Sequence, residues 1–124
     1  KMNFALLFTI AFIMLCLDSI YLSLVSNHFG VLMKKIQGSE IKVKILPAIF
    51  CYLFLIFSIY YFIFEKKNTD LDSFYLGFVI YGVYELTNMA IITDWTWKTV
   101  FLDTIWGGIL FFLTSIMVRK IHTS

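Results

Sequence analysis

Three carboxylates, Asp18, Glu85 and Asp103, stand inside long apolar stretches of the chain. An acid at the centre of a bilayer costs roughly 2.5 to 3.5 kcal/mol on insertion scales, so such residues turn to the protein interior and mark paths for protons, ions or ligands. No lysine, arginine or histidine lies in the same stretches to neutralise them. What remains is protonation, proton sharing between the acids, or a bound metal ion or cationic ligand. Lys98, five residues before Asp103, can also fold back onto it as an ordinary ion pair.

Other polar and aromatic residues gather on the same faces. Spacing of three and four residues aligns Gly77, Tyr81, Tyr84, Glu85 and Asn88, with Thr87 beside them, on one helix face. Asp103, Trp106, Gly107 and Leu110 share a second face, and Asp18 and Tyr21 a third. The candidate ion- or substrate-binding set is therefore Asp18, Glu85, Asn88, Asp103, Thr87, Tyr84, Tyr81, Tyr21 and Trp106, whose rings offer faces to a cation. Asp103 also suits the first turn of a helix, beside the positive end of its dipole. The bland alternative is an interhelical hydrogen-bond network that only holds the bundle together.

Other chemistry finds little support. No nucleophile elbow, HExxH, P-loop or GxGxxG pattern occurs, which leans against an enzyme. His28 and His122 are isolated outside the apolar runs, and Cys16 and Cys51 lie within them without CxxC pairing. No zinc site, disulfide framework or bound cofactor is expected, and no intramembrane lysine is available for a retinal Schiff base.

The elements that must position these acids follow from hydropathy. Of 124 residues, 60% are hydrophobic and 15% charged, and the mean hydropathy is +0.87, well beyond an ordinary soluble domain. Four apolar runs, 4–26, 45–64, 74–92 and 99–118, are each long enough to cross a bilayer as a helix. Strands of a closed barrel would be shorter and would alternate, so the fold class is all-α, an integral membrane four-helix bundle forming one transmembrane domain over 1–124. Four spans put both termini on one side. The first run is read as a retained span, because it is too long and lacks a small-x-small cleavage site for a signal peptide.

Connections over 65–73 and 93–98 are short enough to make their flanking helices antiparallel neighbours. In the longer connection, 27–44, Phe29, Leu32, Met33 and Ile36 recur at helical spacing around Lys34 and Lys35, which suits a short interfacial helix; the other reading is a plain polar loop. Counted inward from the non-terminal surface at about 1.5 Å per residue, Asp18 lies roughly 12 Å deep, Glu85 roughly 10 Å and Asp103 roughly 6 Å, all in the same half of the bilayer. The second span carries Pro47 at its start, Cys51, Tyr52 and Ser58 but no charge, and is expected to close the bundle rather than build the site.

Orientation does not follow from the basic residues. Lys1, Lys66, Lys67, Arg119 and Lys120 fall on the terminal side and Lys34, Lys35, Lys42, Lys44 and Lys98 on the other, a tie. Tyr60, Tyr61 and Tyr75, and opposite them Trp95 and Trp97, are placed as interfacial belts. A net charge of +2 in short flanking clusters excludes nucleic acid as a partner.

The stretch from Gly77 through Tyr84-Glu85-Leu86-Thr87-Asn88, followed by Trp95 and then by Asp103-Thr104-Ile105-Trp106-Gly107-Gly108, resembles the Y-D-L-T-N and D-x-x-W-G signature of a family of small four-span membrane proteins known as domain of unknown function 2177. Leu17-Asp18-Ser19-Ile20-Tyr21-Leu22 is similar to its first-span element L-D-x-x-W-L, and Pro47-Ala48-Ile49-Phe50-Cys51-Tyr52 to the start of its second span. Glu85 stands where the family usually has aspartate, and Tyr21 where it usually has tryptophan. The resemblance covers nearly the whole chain and implies the four-span topology and the same acids, in members from bacteria and large viruses.

Three functions fit these residues. In the first, Asp18, Glu85, Asn88 and Asp103 form a proton or cation site, opening to the non-terminal side, for conduction or exchange. Four helices are few for an aqueous path, so conduction calls for a homo-oligomer or a narrow proton wire, with Gly107 and Gly108 as contact residues. In the second, the same acids bind or modify a lipid headgroup in a cleft lined by Tyr21, Tyr81, Tyr84 and Trp106. The third is a membrane accessory or scaffold subunit.

Overall fold

Hydrocarbon offers no partner to a backbone amide, and every apolar run of this chain meets that demand as a helix. The structure, a computed structural model, describes residues 3–37 and 44–123. Four helices follow one another: α1 Phe4–Gln37, α2 Ile45–Ile59, α3 Asp70–Ile91 and α4 Trp97–Thr123, with a π-helical segment, Tyr60–Glu65, continuing α2. No strand occurs among the described residues. All four helices are long and apolar enough to cross a membrane, α2 with its π-helical extension.

The boundaries have local causes. α3 opens on a capping box in which the Asp72 amide donates to Thr69 Oγ1 at 3.1 Å and the Thr69 amide to Asp72 Oδ2 at 2.9 Å. The π-helical segment ends on wide-turn bonds from the Lys66 amide to the Tyr61 carbonyl and from the Asn68 amide to the Ile63 carbonyl. Lys67 then takes a left-handed φ of 56° that turns the chain into α3.

α1 differs from the sequence expectation. Instead of a span followed by a separate interfacial helix, it is one helix of 34 residues, about 51 Å long at 1.5 Å per residue. That exceeds the roughly 30 Å of hydrocarbon. Only Gly30 interrupts the helix-forming residues of 27–36, and an isolated glycine does not end a helix. The extension docks on the α3–α4 turn. Leu32 packs with Trp95 and Val100, and Phe29, Met33 and Ile36 pack against the same cluster alongside Met89 and Ile92. His28 Nε2 bonds Thr99 Oγ1 at 2.8 Å. Residues 38–43 of that connection, with Lys42, lie outside the described residues, as does Lys1.

The main core fills the half of the bundle nearer the termini. Ile10, Ile13 and Met14 of α1 meet Leu55, Ile56 and Ile59 of α2, and Leu110, Phe111 and Val118 of α4, in one buried cluster. Tyr60, expected at an interface, is 3% exposed within it, and its hydroxyl accepts from the Asn3 amide at 2.8 Å. α3 and α4 form the closest helix pair because glycines let them meet. A Cβ on Gly77 would collide with the Gly107 carbonyl oxygen, one on Gly107 with the Tyr81 side chain, and one on Gly108 with the Phe74 ring. Gly107 and Gly108, which the sequence offers as contact residues between copies, are buried against α3 within the chain. Phe8, Phe12, Leu24, Phe54 and Val83 project outward, as lipid-facing side chains do.

The end opposite the acids is tied by Asp70. Its Oδ1 accepts from Arg119 Nε at 2.7 Å and from Ser115 Oγ at 2.5 Å, while Arg119 also donates to the Asn68 carbonyl. His122 Nε2 bonds Thr9 Oγ1 at 3.0 Å, placing the start of α1 beside the end of α4.

Candidate functional site

α1 and α4 run antiparallel, and each contributes an acid and, three residues on, an aromatic donor. Trp106 Nε1 donates to Asp18 Oδ1 at 3.0 Å, and the Tyr21 hydroxyl donates to Asp103 Oδ1 at 2.9 Å. The spacing of three residues puts acid and donor on one face of each helix, so the two pairs interlock reciprocally. The Tyr21 and Trp106 rings stack with centroids 4.6 Å apart and planes 4° from parallel. A third helix completes the shell of Asp18: the Tyr52 hydroxyl of α2 donates to its Oδ2. The second span therefore helps build the site, contrary to the sequence expectation that it only closes the bundle.

Glu85 of α3 is fully buried. Its Oε1 accepts from Trp95 Nε1 at 2.8 Å. Glu85 lines the same cleft as Asp103, yet its Oε2 receives no bond from any donor group among the described residues. Two carboxyls can bond each other only when one carries a proton, because an ionised carboxylate has no donor. Burial thus places Glu85 where it needs a proton from its neighbour or a donor from outside the chain.

Asp18, Tyr21, Tyr81, Glu85 and Asp103 share the wall of a cleft of about 210 Å³ with Trp95, and Leu22, Phe29 and Met33 of α1 form its apolar part. Three acids, as the depth count required, meet in the half of the bundle near the α3–α4 turn. Among the described residues no basic side chain lines the cleft. Lys98 is exposed at the start of α4, and no ion pair joins it to Asp103 among the described residues. Asp103 lies beyond the first turn of α4, so the helix dipole is not its partner. Two unit charges 4 Å apart repel by about 4 kcal/mol at the effective dielectric of a protein surface, so three ionised acids here would be mutually unfavourable.

The remaining sequence candidates stand differently. Tyr84 is 58% exposed and touches only the margin of the cleft. Thr87 is exposed and returns its hydroxyl to the Val83 carbonyl at 2.7 Å, a local bond that takes it out of the site. Asn88 is half-buried and does not line the cleft. α3 thus presents Gly77, Tyr81 and Glu85 inward, while Tyr84 stands at the cleft margin and Thr87 turns outward.

Tyr52 and Trp95 donate to the acids Asp18 and Glu85, a role that sequence reasoning passed over. Trp95 was expected in an interfacial belt, but it is buried and holds Glu85. Its position ten residues after an intramembrane acid, across a short turn, was the available signal. Among the described residues no three His, Cys, Asp or Glu side chains converge to hold a metal ion. Cys16 and Cys51 are free and exposed on the outer faces of α1 and α2.

Neither a curated protein nor a solved structure matches the chain. The sequence pattern of DUF2177, described as a predicted membrane protein, matches residues 3–119. With four membrane-length helices and a match over nearly its whole length, the chain belongs to the DUF2177 family of membrane proteins.

Proposed function

We propose that the acid cleft is a proton-exchange site, and that the protein is a small multi-pass transporter with both termini on the same side of the membrane. The observation that carries this reading is Glu85: fully buried, held on one oxygen by Trp95, unpartnered on the other among the described residues, and lining one cleft with Asp103, where no described basic residue stands. Such a carboxyl pair retains one proton between its members and releases it when a cation or a conformational change replaces it.

Asp18 stays outside the pair because Tyr52 and Trp106 already satisfy both of its oxygens. The apolar cluster of Ile10, Met14, Ile59, Leu110 and Phe111 lies between the cleft and the terminal end. Exchange is therefore one-sided in this conformation, and passage across the membrane requires the cluster to part. The bond between Thr9 and His122 supports the shared side of the termini.

The test is proton flux into liposomes containing the purified protein, an internal pH dye and an imposed potential. Glu85→Gln should abolish the flux and Asp18→Asn should reduce it. Flux from the wild type equal to that of empty liposomes contradicts the reading.

A second reading has its own support. The apolar wall of Leu22, Phe29 and Met33, with half-exposed Tyr84 at the margin, suits the entry of a lipid headgroup between helices. A lipid that co-purifies with the wild type but not with Glu85→Gln, seen by mass spectrometry, would favour it.

A further inference from the structure

Glu85 lines the cleft, and its Oε2 is a buried acceptor without a donor among the described residues. The cleft holds about 210 Å³, far more than a proton or bare metal ion needs. Its lining is divided in kind. Asp18, Glu85, Asp103 and the Tyr81 ring make one part, and Leu22, Phe29 and Met33 make the other.

Each feature narrows the occupant. A calcium or magnesium ion takes six or more oxygens in one shell, a zinc ion three or four side-chain ligands, and among the described residues no three acidic, histidine or cysteine side chains converge on one point. A quaternary ammonium is recognised by aromatic faces, and Tyr81, Tyr84 and Trp95 line the cleft, but such an ion brings no N–H to Glu85 Oε2. A primary ammonium has three N–H donors, like the lysine head group, and carries a hydrocarbon body that the apolar wall can cover.

We propose that the cleft binds a small primary alkylammonium ion, its NH₃⁺ group donating to Glu85 Oε2 and the Asp103 carboxyl and its alkyl chain lying against Leu22, Phe29 and Met33. This inference rests on the proton-exchange reading and names what the proton is exchanged for. The step balances: R–NH₃⁺ enters, the proton shared by Glu85 and Asp103 leaves to water, and the charge in the cleft is unchanged. No other reactant takes part. The groups that face this pair are Asp18 and Tyr21 from α1, Tyr52 from α2 through Asp18, Tyr81 and Tyr84 from α3, and Trp95 from the turn. None of them is cationic, so the carboxyl pair is the proton source.

The experiment is titration calorimetry of the full chain in phosphatidylcholine nanodiscs, in two buffers of different protonation enthalpy, with butylammonium, tetramethylammonium and sodium chlorides. Butylammonium should bind saturably with release of one proton per site, and its Kd should fall about tenfold per pH unit while the pair is protonated. Tetramethylammonium and sodium should bind at least tenfold more weakly. Glu85→Gln should release no proton; the comparison of ligands on the wild type does not depend on that variant folding. Equal binding of butylammonium and tetramethylammonium, or binding without proton release, overturns the proposal. Wild-type protein that moves protons in liposomes yet shows no saturable butylammonium binding overturns this inference alone, whereas loss of both overturns the exchange reading beneath it.

Discussion

Asp18 and Asp103 are held by neutral donors, each reaching across to the other's helix. A buried carboxylate left without one of its donors costs about 1 to 3 kcal/mol, more than the bond itself contributes when both partners are present. Trp106→Phe keeps a ring against Tyr21 but removes the N–H that Asp18 Oδ1 accepts. It is expected to destabilise the folded protein by about 1 to 3 kcal/mol, read as a lower thermal midpoint in detergent; an unchanged midpoint would contradict the pairing. Glu85 is different in kind, because its second oxygen has no donor to lose. Replacing it by glutamine preserves an acceptor for Trp95 and supplies an N–H toward Asp103, so the proposed role predicts a loss of proton exchange with little effect on folding.

Helix packing depends on where glycine allows backbones to meet. Gly77→Ala would press a methyl group into the Gly107 carbonyl oxygen and, at 2.6 Å, into Phe111 Cγ, forcing α3 from α4 at a cost of about 1 to 3 kcal/mol. Gly82→Ala meets Thr104 Cγ2 at 3.4 Å, an ordinary contact, and should be neutral or gain up to about 1 kcal/mol from helix propensity. Thermal unfolding of the two variants side by side checks the contrast, and equal shifts would contradict it. The four spans and three acids were legible in the sequence because apolar length and the cost of an intramembrane charge leave direct marks on composition. The role of the glycines was not, since small residues announce close approach without saying which helix approaches. Tyr52 and Trp95 were hidden for a related reason: in a chain with 19% aromatic residues, only the fold distinguishes a ring that meets lipid from one that holds an acid 34 positions away. The continuity of α1 through 27–36 was missed because amphipathic spacing is the same whether a helix lies at the interface or extends from a span.

Across the whole molecule, the two ends are built for different tasks. The terminal end is closed by Asp70, Ser115 and Arg119 and backed by the large apolar core. The other end carries the acids and is covered by the extension of α1, whose Leu32 packs on the same Trp95 that holds Glu85. Loosening that cover should therefore reach the site: Leu32→Ala is expected to cost about 2 kcal/mol at the low end of buried leucine truncations and to raise amide hydrogen exchange across residues 93–96. Unchanged exchange there would separate the extension from the cleft. The proposed exchange site requires a single proton held between the Glu85 and Asp103 carboxyls. Infrared difference spectroscopy of the protein in lipid at neutral pH reads it directly, through the carbonyl stretch of a protonated carboxylic acid. A shared proton predicts such a band in the wild type, shifted in heavy water and lost in Glu85→Gln. No protonated-acid band at neutral pH, or a band that Glu85→Gln leaves unchanged, would contradict it.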